Sequence, residues 1–440
     1  MAGAGFSGTM LALQLARRGV TSLLVDHAEA RGRGIAYGTR DPAHLLNVPA
    51  GRMSAWPDEP QDFADALAAK PGLFAERGAY GDYLAGQLDQ AVAQGAVDVV
   101  DGEIAAARPS GHPERAGWRL TLNNGNEIEA QDLVLATGNG RPAPFAIPGW
   151  PDGDMVQNPW SVAAGERLRE AARDASPLLL IGTGLTMADV VLTLDRLGYL
   201  GSVTAVSRRG LVPRAHVAGV VPLPPPGLGE IPGDLSDAVA WMRARGLGGD
   251  WRSAVDSLRP VSQALWESWP EDIKARFIRH ARPWWDVHRH RIAPQAAAVI
   301  EQWIGANRLK VMAGRVTGGQ PGQVRVARRG GGEIEVEAKL AVNCTGPSEK
   351  VADSANPLLR QLLADGLMEP GELGLGVRVD GDCRAGDGLW ALGPLTKGRW
   401  WEITAVPDIR VQAERGAQAL GANRNAGAVA SRGTRDLPAK

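Results

Sequence analysis

The first stretch whose residue types and spacing could do chemistry is Gly3-Ala4-Gly5-Phe6-Ser7-Gly8, which fits GxGxxG. In such a turn Gly3 permits a tight reversal, Gly5 lets the backbone approach a pyrophosphate, and Gly8 lets helix and strand pack closely. Phe6 and Ser7 fall in the first helical turn, where unpaired N–H groups and the helix dipole favour an anion. An apolar helical pattern follows (Met10, Leu11, Leu13, Leu15), Gly19 stops it, and the strand Ser22-Leu-Leu-Val-Asp26 ends in an acid. Asp26 lies far enough beyond Gly8 to accept a hydrogen bond from a ribose hydroxyl. A buried strand normally precedes the fingerprint, yet only Met1-Ala2 stand before Gly3. The chain as written is therefore expected to start too late, through a misassigned start or a truncation.

A second strand, glycine turn and helix follow at Pro177-Leu-Leu-Leu-Ile-Gly182-Thr-Gly184-Leu-Thr186-Met187, with Met187 in place of the third glycine. The next strand ends in Ser207-Arg208-Arg209 where the first unit has an acid. A carboxylate there would repel a 2′-phosphate, whereas two guanidiniums attract one. Charged hydrogen bonds of about 1.5–3 kcal/mol each imply a roughly ten- to hundredfold preference per contact. NADPH is thus the expected coenzyme of this site, the alternative being two solvated surface arginines.

Three apolar strands end in glycine and return the chain to these sites. They are Asp132-Leu-Val-Leu-Ala-Thr-Gly138, Leu340-Ala-Val-Asn-Cys-Thr-Gly346 and Gly388-Leu-Trp-Ala-Leu-Gly393. The last leads through Pro394 into a helix expected over roughly Glu402 to Leu420, whose N-terminus is placed to stabilise negative charge on a reduced flavin.

At 440 residues, two or more domains are the default. Basic and acidic residues number 48 and 49, which argues against nucleic acid as principal partner. Two distant cysteines exclude a disulfide scaffold and a cysteine zinc site, and suit a reducing cytoplasm. No apolar run is long enough to span a membrane, and no export signal is read.

Two glycine turns with Ala-Thr-Gly and Ile147-Pro-Gly149 between them resemble the two-dinucleotide-binding flavoproteins. The stretches Gly32-Arg-Gly-Ile-Ala-Tyr-Gly38, His44-Leu-Leu-Asn47-Val-Pro-Ala-Gly-Arg52-Met-Ser, Tyr80-Gly-Asp-Tyr83 and Asn158-Pro-Trp160 resemble one branch, the bacterial FAD/NAD(P)-binding flavoproteins, over about residues 1–420. The resemblance implies FAD at the first site, with Asn47 among its contacts, and relatives that hydroxylate nitrogen. The layout also resembles class B flavin monooxygenases. Their signature histidine is missing from Asp154-Met-Val-Gln-Asn158-Pro-Trp160, which speaks against Baeyer–Villiger chemistry.

Between the second turn and the return strand, about residues 211–305 read as a helical insertion opened by Pro222-Leu-Pro-Pro-Pro226 and holding seven of the 14 tryptophans. Its segment Glu271 to Arg291 carries six Lys/Arg against three acids, either a solvated face or an anion-recognition surface. Arg289 and Arg291 are candidate substrate ligands. His288 and His290 do not share a helical face, and no metal site is expected.

The expected architecture is α/β, two Rossmann-type dinucleotide-binding domains with a helical insertion. Residues 1–150 and 338–421 form the FAD domain, 151–337 the NADPH domain with its insertion, and 422–440 a disordered tail. The expected reaction passes a hydride from NADPH to FAD. Reduced flavin then takes up oxygen at C4a, and the hydroperoxide hydroxylates a nucleophilic small molecule such as an amine. A reductase or oxidase with another acceptor, and a non-catalytic flavin sensor, are the alternatives. A homo-oligomer is left open.

Overall fold

The computed structural model describes residues 1–110 and 117–433. Two sheets carry the two glycine turns. In the first, Ser22–Asp26 pairs in parallel with Val97–Asp101, and Leu133–Leu135 pairs in parallel with Leu389–Ala391, which Arg384–Gly386 flanks antiparallel. Ala2 bridges Val25 on one side and Leu135 on the other, both in parallel, and so joins the halves at the central position. Its N–H donates to Val134 O at 2.8 Å, and the N–H of Gly3 to Val25 O at 2.9 Å.

The second sheet has seven strands in the order Glu333–Glu337, Gln323–Arg328, Leu309–Gln320, Val203–Ser207, Leu178–Ile181, Leu340–Asn343, Met155–Val156. Its centre is parallel, and its first two strands form an antiparallel extension. The central strands are wholly buried (Leu178, Leu179, Leu180, Ala341, Val342), as a sheet covered on both faces requires.

Three expected boundaries need correction. Leu340–Asn343 was expected in the FAD domain, but pairs between Leu178–Ile181 and Met155–Val156 in the second sheet. The apolar run Leu340-Ala-Val342 fits any parallel sheet, so composition alone could not choose between them. The helix Pro294–Gly305 was placed in the insertion, yet Ala296, Ile300 and Trp303 pack with Leu178 and Val203. It is the crossover that the parallel pair Val203–Ser207 and Leu309–Gln320 needs. The C-terminal helix runs Val406–Gly433, so residues 422–433 of the expected disordered tail are helical. Their alanines favour helix. Residues 434–440 lie outside the described residues.

The insertion proper comprises short helices from Leu235–Gly246 to Arg282–Arg289, with a π-helical turn at Phe277–Ala281. Trp266 stacks on Trp401 with ring centres 4.8 Å apart, and Phe277 meets Trp401 edge-on. Most of the insertion's tryptophans serve packing, although Trp284 is exposed. Among the described residues no helix is long and apolar enough to cross a membrane.

Candidate functional site

Each glycine turn is locked against a strand end. Gly3 has φ +110°, and a methyl group there would come within 2.5 Å of Ala136 O. Gly182 has φ +116°, and a methyl group there would overlap Cys344 O. The same relationship therefore holds twice: turn Gly3 against the return strand ending in Gly138, and turn Gly182 against the one ending in Gly346. Gly138 (φ +70°) and Gly346 (φ +85°) both leave open space where a side chain would project. Gly346 thus belongs with the second turn, together with its strand.

In the first turn, Gly8 packs so closely on Gly3 that a Cβ would overlap its carbonyl. Gly5 caps the helix Phe6–Ala16, whose first internal bond is Thr9 N–H to Gly5 O at 3.0 Å. The N–H groups of Phe6, Ser7 and Gly8 therefore point out of the helix end, as anion binding needs. The side chains of Phe6 and Ser7 turn inward. Phe6 packs edge-on against Tyr37 at 6.2 Å, and Ser7 lies beneath Gly393. Asp26 accepts from Ala4 N–H at 2.7 Å and from His27 N–H at 2.8 Å, which holds its carboxylate beside the turn.

Gly393 (φ +68°) donates its N–H to Gln412 Oε1 at 2.7 Å, and Gln412 in turn donates to Thr396. The return loop is thereby fastened to the C-terminal helix, which starts at Val406 rather than near Glu402. Gly32-Arg33-Gly34 closes over the first turn: Gly32 N–H reaches Ala4 O at 2.9 Å, and a Cβ on Gly5 would sit 3.3 Å from Gly34 Cα.

The second turn is built alike. Gly184 caps Leu185–Arg196, leaving the N–H groups of Leu185, Thr186 and Met187 free at the helix end. Thr183 Oγ1 lies 2.8 Å from Ser207 Oγ, which also accepts from Gly210 N–H at 3.0 Å. These bonds hold the Arg208-Arg209 turn against the glycine turn. Arg208 is exposed. Arg209 donates to the carbonyls of Arg279 and His280 at 3.3 and 3.2 Å. Burial, then the nearby Arg329 and Arg208, lower its pKa.

Other predicted residues lie elsewhere. Asn47 is half-buried, and its carbonyl meets His216 Nε2 at 3.0 Å. Arg289 Nε donates to Glu402 Oε2 at 3.0 Å, and Arg291 pairs with Asp256. Both candidate substrate arginines are thus already neutralised inside the protein. Most of the basic stretch 271–291 behaves likewise: Lys274 pairs with Glu372 at 2.6 Å, Arg276 with Asp234 at 3.0 Å, and Arg282 with Glu349 at 2.8 Å. Much of it is an internal docking seam, a reading the sequence did not suggest. His288 meets Trp284 O, whereas His290 lies beside Asp286 and Glu402.

Sequence reasoning missed what joins the two units. Arg77 grips Asp189 through two bonds, Arg196 grips Asp41 at 2.7 and 3.0 Å, and His44 Nε2 lies 2.9 Å from Thr193 Oγ1. No local pattern announces contacts between residues more than a hundred positions apart.

Residues 1–140 match a family model described as FAD-NAD(P)-binding. No curated protein matches the sequence. Among solved structures, the fold is similar to an ornithine N-hydroxylase from Kutzneria sp. 744 (TM-score 0.61, 16% identity, 96% of this chain and 98% of that one). L-lysine 6-monooxygenase from Pseudomonas syringae is similar at TM-score 0.60 and 17% identity, over 95% and 97% of the two chains. Bacillithiol disulfide reductase from Bacillus cereus is similar at TM-score 0.54 and 12% identity, over 96% and 97%. The fold is that of the flavoproteins with two dinucleotide-binding domains. The matched residues 1–140 hold the first glycine turn, the strand ending in Asp26 and the strand Leu133–Leu135.

Proposed function

We propose that this protein is an NADPH-dependent flavin monooxygenase that hydroxylates the nitrogen of a small amine. The carrying observation is the pair of matched glycine-turn sites on separate sheets, the second ending in Arg208-Arg209. The cradle around Gly3, Gly5 and Gly8 suits a pyrophosphate, with Asp26 for the adjoining ribose. The turn at Gly182 and Gly184, with Arg208, suits a nicotinamide coenzyme carrying a 2′-phosphate.

Bound FAD would supply hydride acceptance and oxygen activation, chemistry that amino-acid side chains lack. The chain's own part is to bind and orient. Helix N-termini at Phe6 and Leu185 hold the pyrophosphates, and Arg77–Asp189 and Arg196–Asp41 fix one unit against the other. The tryptophan-rich insertion packed at Trp401 helps to exclude water.

Disulfide reduction is disfavoured because the two thiols do not form a pair. Cys344 ends a strand of the second sheet, and Cys383 lies beside the first. Both are free, and burial raises both pKa values, that of Cys383 to about 12. Amine oxidation is supported by the similarity to ornithine and lysine hydroxylases. A reductase or oxidase passing electrons to another acceptor is the second reading. NADPH oxidation in air with a panel of amines, scoring free hydrogen peroxide against hydroxylated product, tests the two. Peroxide equal to NADPH consumed with every amine would reject the monooxygenase reading.

A further inference from the structure

A cavity of about 390 Å³ lies where three parts of the chain meet: Arg52, Arg259-Pro260 with Gln263 from the insertion, and the first turns of the C-terminal helix at Pro407, Asp408, Arg410 and Val411. That volume suits a small molecule and is at the low end for ligand pockets. Three guanidiniums face it against one carboxylate.

The charge is only partly neutralised. Arg259 reaches Asp408 at 3.7 Å, a loose pair. Arg410 spends one N–H on Ser54 O at 2.8 Å, and its buried Nε has no partner. Among the described residues neither Arg410 nor the exposed Arg52 forms an ion pair, although Arg410 lies near enough to Asp408 for their charges to interact. Glu402, which does not line the cavity, accepts from Arg289 and Trp285. The positive end of the helix Val406–Gly433 adds to the excess. Burial lowers the pKa of Arg259 and Asp408 offsets part of this; Arg289 and Arg52 add to the lowering, and Glu402 opposes it. A second cavity, of about 750 Å³, shows the contrast: Glu267, Glu271 and Glu372 stand there against Lys274, Arg378 and Arg399. Pairs such as Lys274–Glu372 and Arg399–Glu267 leave no surplus.

We propose that the cavity between Arg52, Arg259 and Arg410 is a binding site for a small molecule bearing an oxyanion, distinct from the two dinucleotide turns. A guanidinium fork matches the paired oxygens of a carboxylate or a phosphate, and Pro260, Pro407 and Val411 offer an apolar wall for a short carbon chain.

The test is calorimetric titration of the FAD-loaded full chain with succinate and, separately, inorganic phosphate. It reads binding without turnover and so stands apart from the reaction assigned above. Arg52→Gln, at an exposed position, and Arg259→Gln should each weaken binding about tenfold. Arg208→Ala, in the coenzyme site, should leave succinate binding unchanged. Weakening of succinate binding assigns a carboxylate, and weakening of phosphate binding alone assigns a phosphate. Absence of saturable heat with either anion overturns the site. So does heat that is equal in wild type and both glutamine variants, or lost only in Arg208→Ala.

Discussion

Arg77 and Asp189 face each other through a two-pronged ion pair, Nη1 to Oδ2 at 2.8 Å and Nη2 to Oδ1 at 3.0 Å. The arginine opens the helix Arg77–Ala93 beside the first glycine turn, and the aspartate lies on the helix that leaves the second. Both side chains are nearly buried, at 13% and 7% exposure, so neither can be rehydrated cheaply if its partner is lost.

Arg77→Met should therefore destabilise the protein by about 3–5 kcal/mol, because it strands a buried carboxylate. Arg77→Lys, which keeps the charge and loses the fork, should cost less. Urea unfolding of the three proteins measures this. A loss under about 1 kcal/mol for the methionine variant would mean that Asp189 finds another partner.

The two glycines of the second turn should respond differently. Gly182→Ala meets the Cys344 carbonyl at a positive φ and should lower the unfolding temperature markedly. Gly184 has an extended backbone and open space around it, so Gly184→Val should fold normally. That variant should hold flavin but resist reduction by NADPH, since the side chain fills space meant for the coenzyme. Gly5→Val should lose FAD. Absorbance spectra before and after NADPH addition distinguish the variants; equal loss of flavin from both valine variants would contradict the assignment.

Arg208→Ala is the cleaner probe of coenzyme choice, because Arg209 also braces the carbonyls of Arg279 and His280. It should raise the KM for NADPH roughly tenfold and leave that for NADH nearly unchanged. Added salt should narrow the gap between wild type and variant. Steady-state kinetics with both coenzymes reads the outcome, and equal losses for the two would assign Arg208 to the fold.

His216 gives the acid limb of stability a particular shape. Burial first, then the charge of Arg291, pushes its pKa from 6.5 down to about 4. The folded protein therefore resists a proton that the unfolded chain accepts. Stability contributed by the neutral ring is complete above pH 6.5, falls as pH drops toward about 4, and changes no further below that. One proton accounts for a slope of at most about 1.4 kcal/mol per pH unit. His216→Gln cannot titrate and should flatten the slope between pH 6.5 and 4 in denaturant midpoints. An unchanged slope would assign the acid limb to other groups.

What the sequence determined by itself was local. Gly3, Gly5 and Gly8, Gly182 and Gly184, and the residues ending each second strand lie within a single βαβ unit. Their meaning follows from spacing, because turn, helix start and strand are continuous in the chain. Only the tertiary structure decided the rest. Leu340, Ala341 and Val342 are apolar and could have joined either sheet; the pairing of Leu340–Asn343 with Leu178–Ile181 chose. Arg289 and Arg291 looked free for a substrate until Glu402 and Asp256 arrived from distant segments to neutralise them. Arg52 stood in a motif of the first unit, Arg259 and Arg410 in none, and the three became a group only when their segments converged on one cavity. A charge is visible in a sequence, but its effect depends on which opposite charges and how much water surround it, and folding sets both.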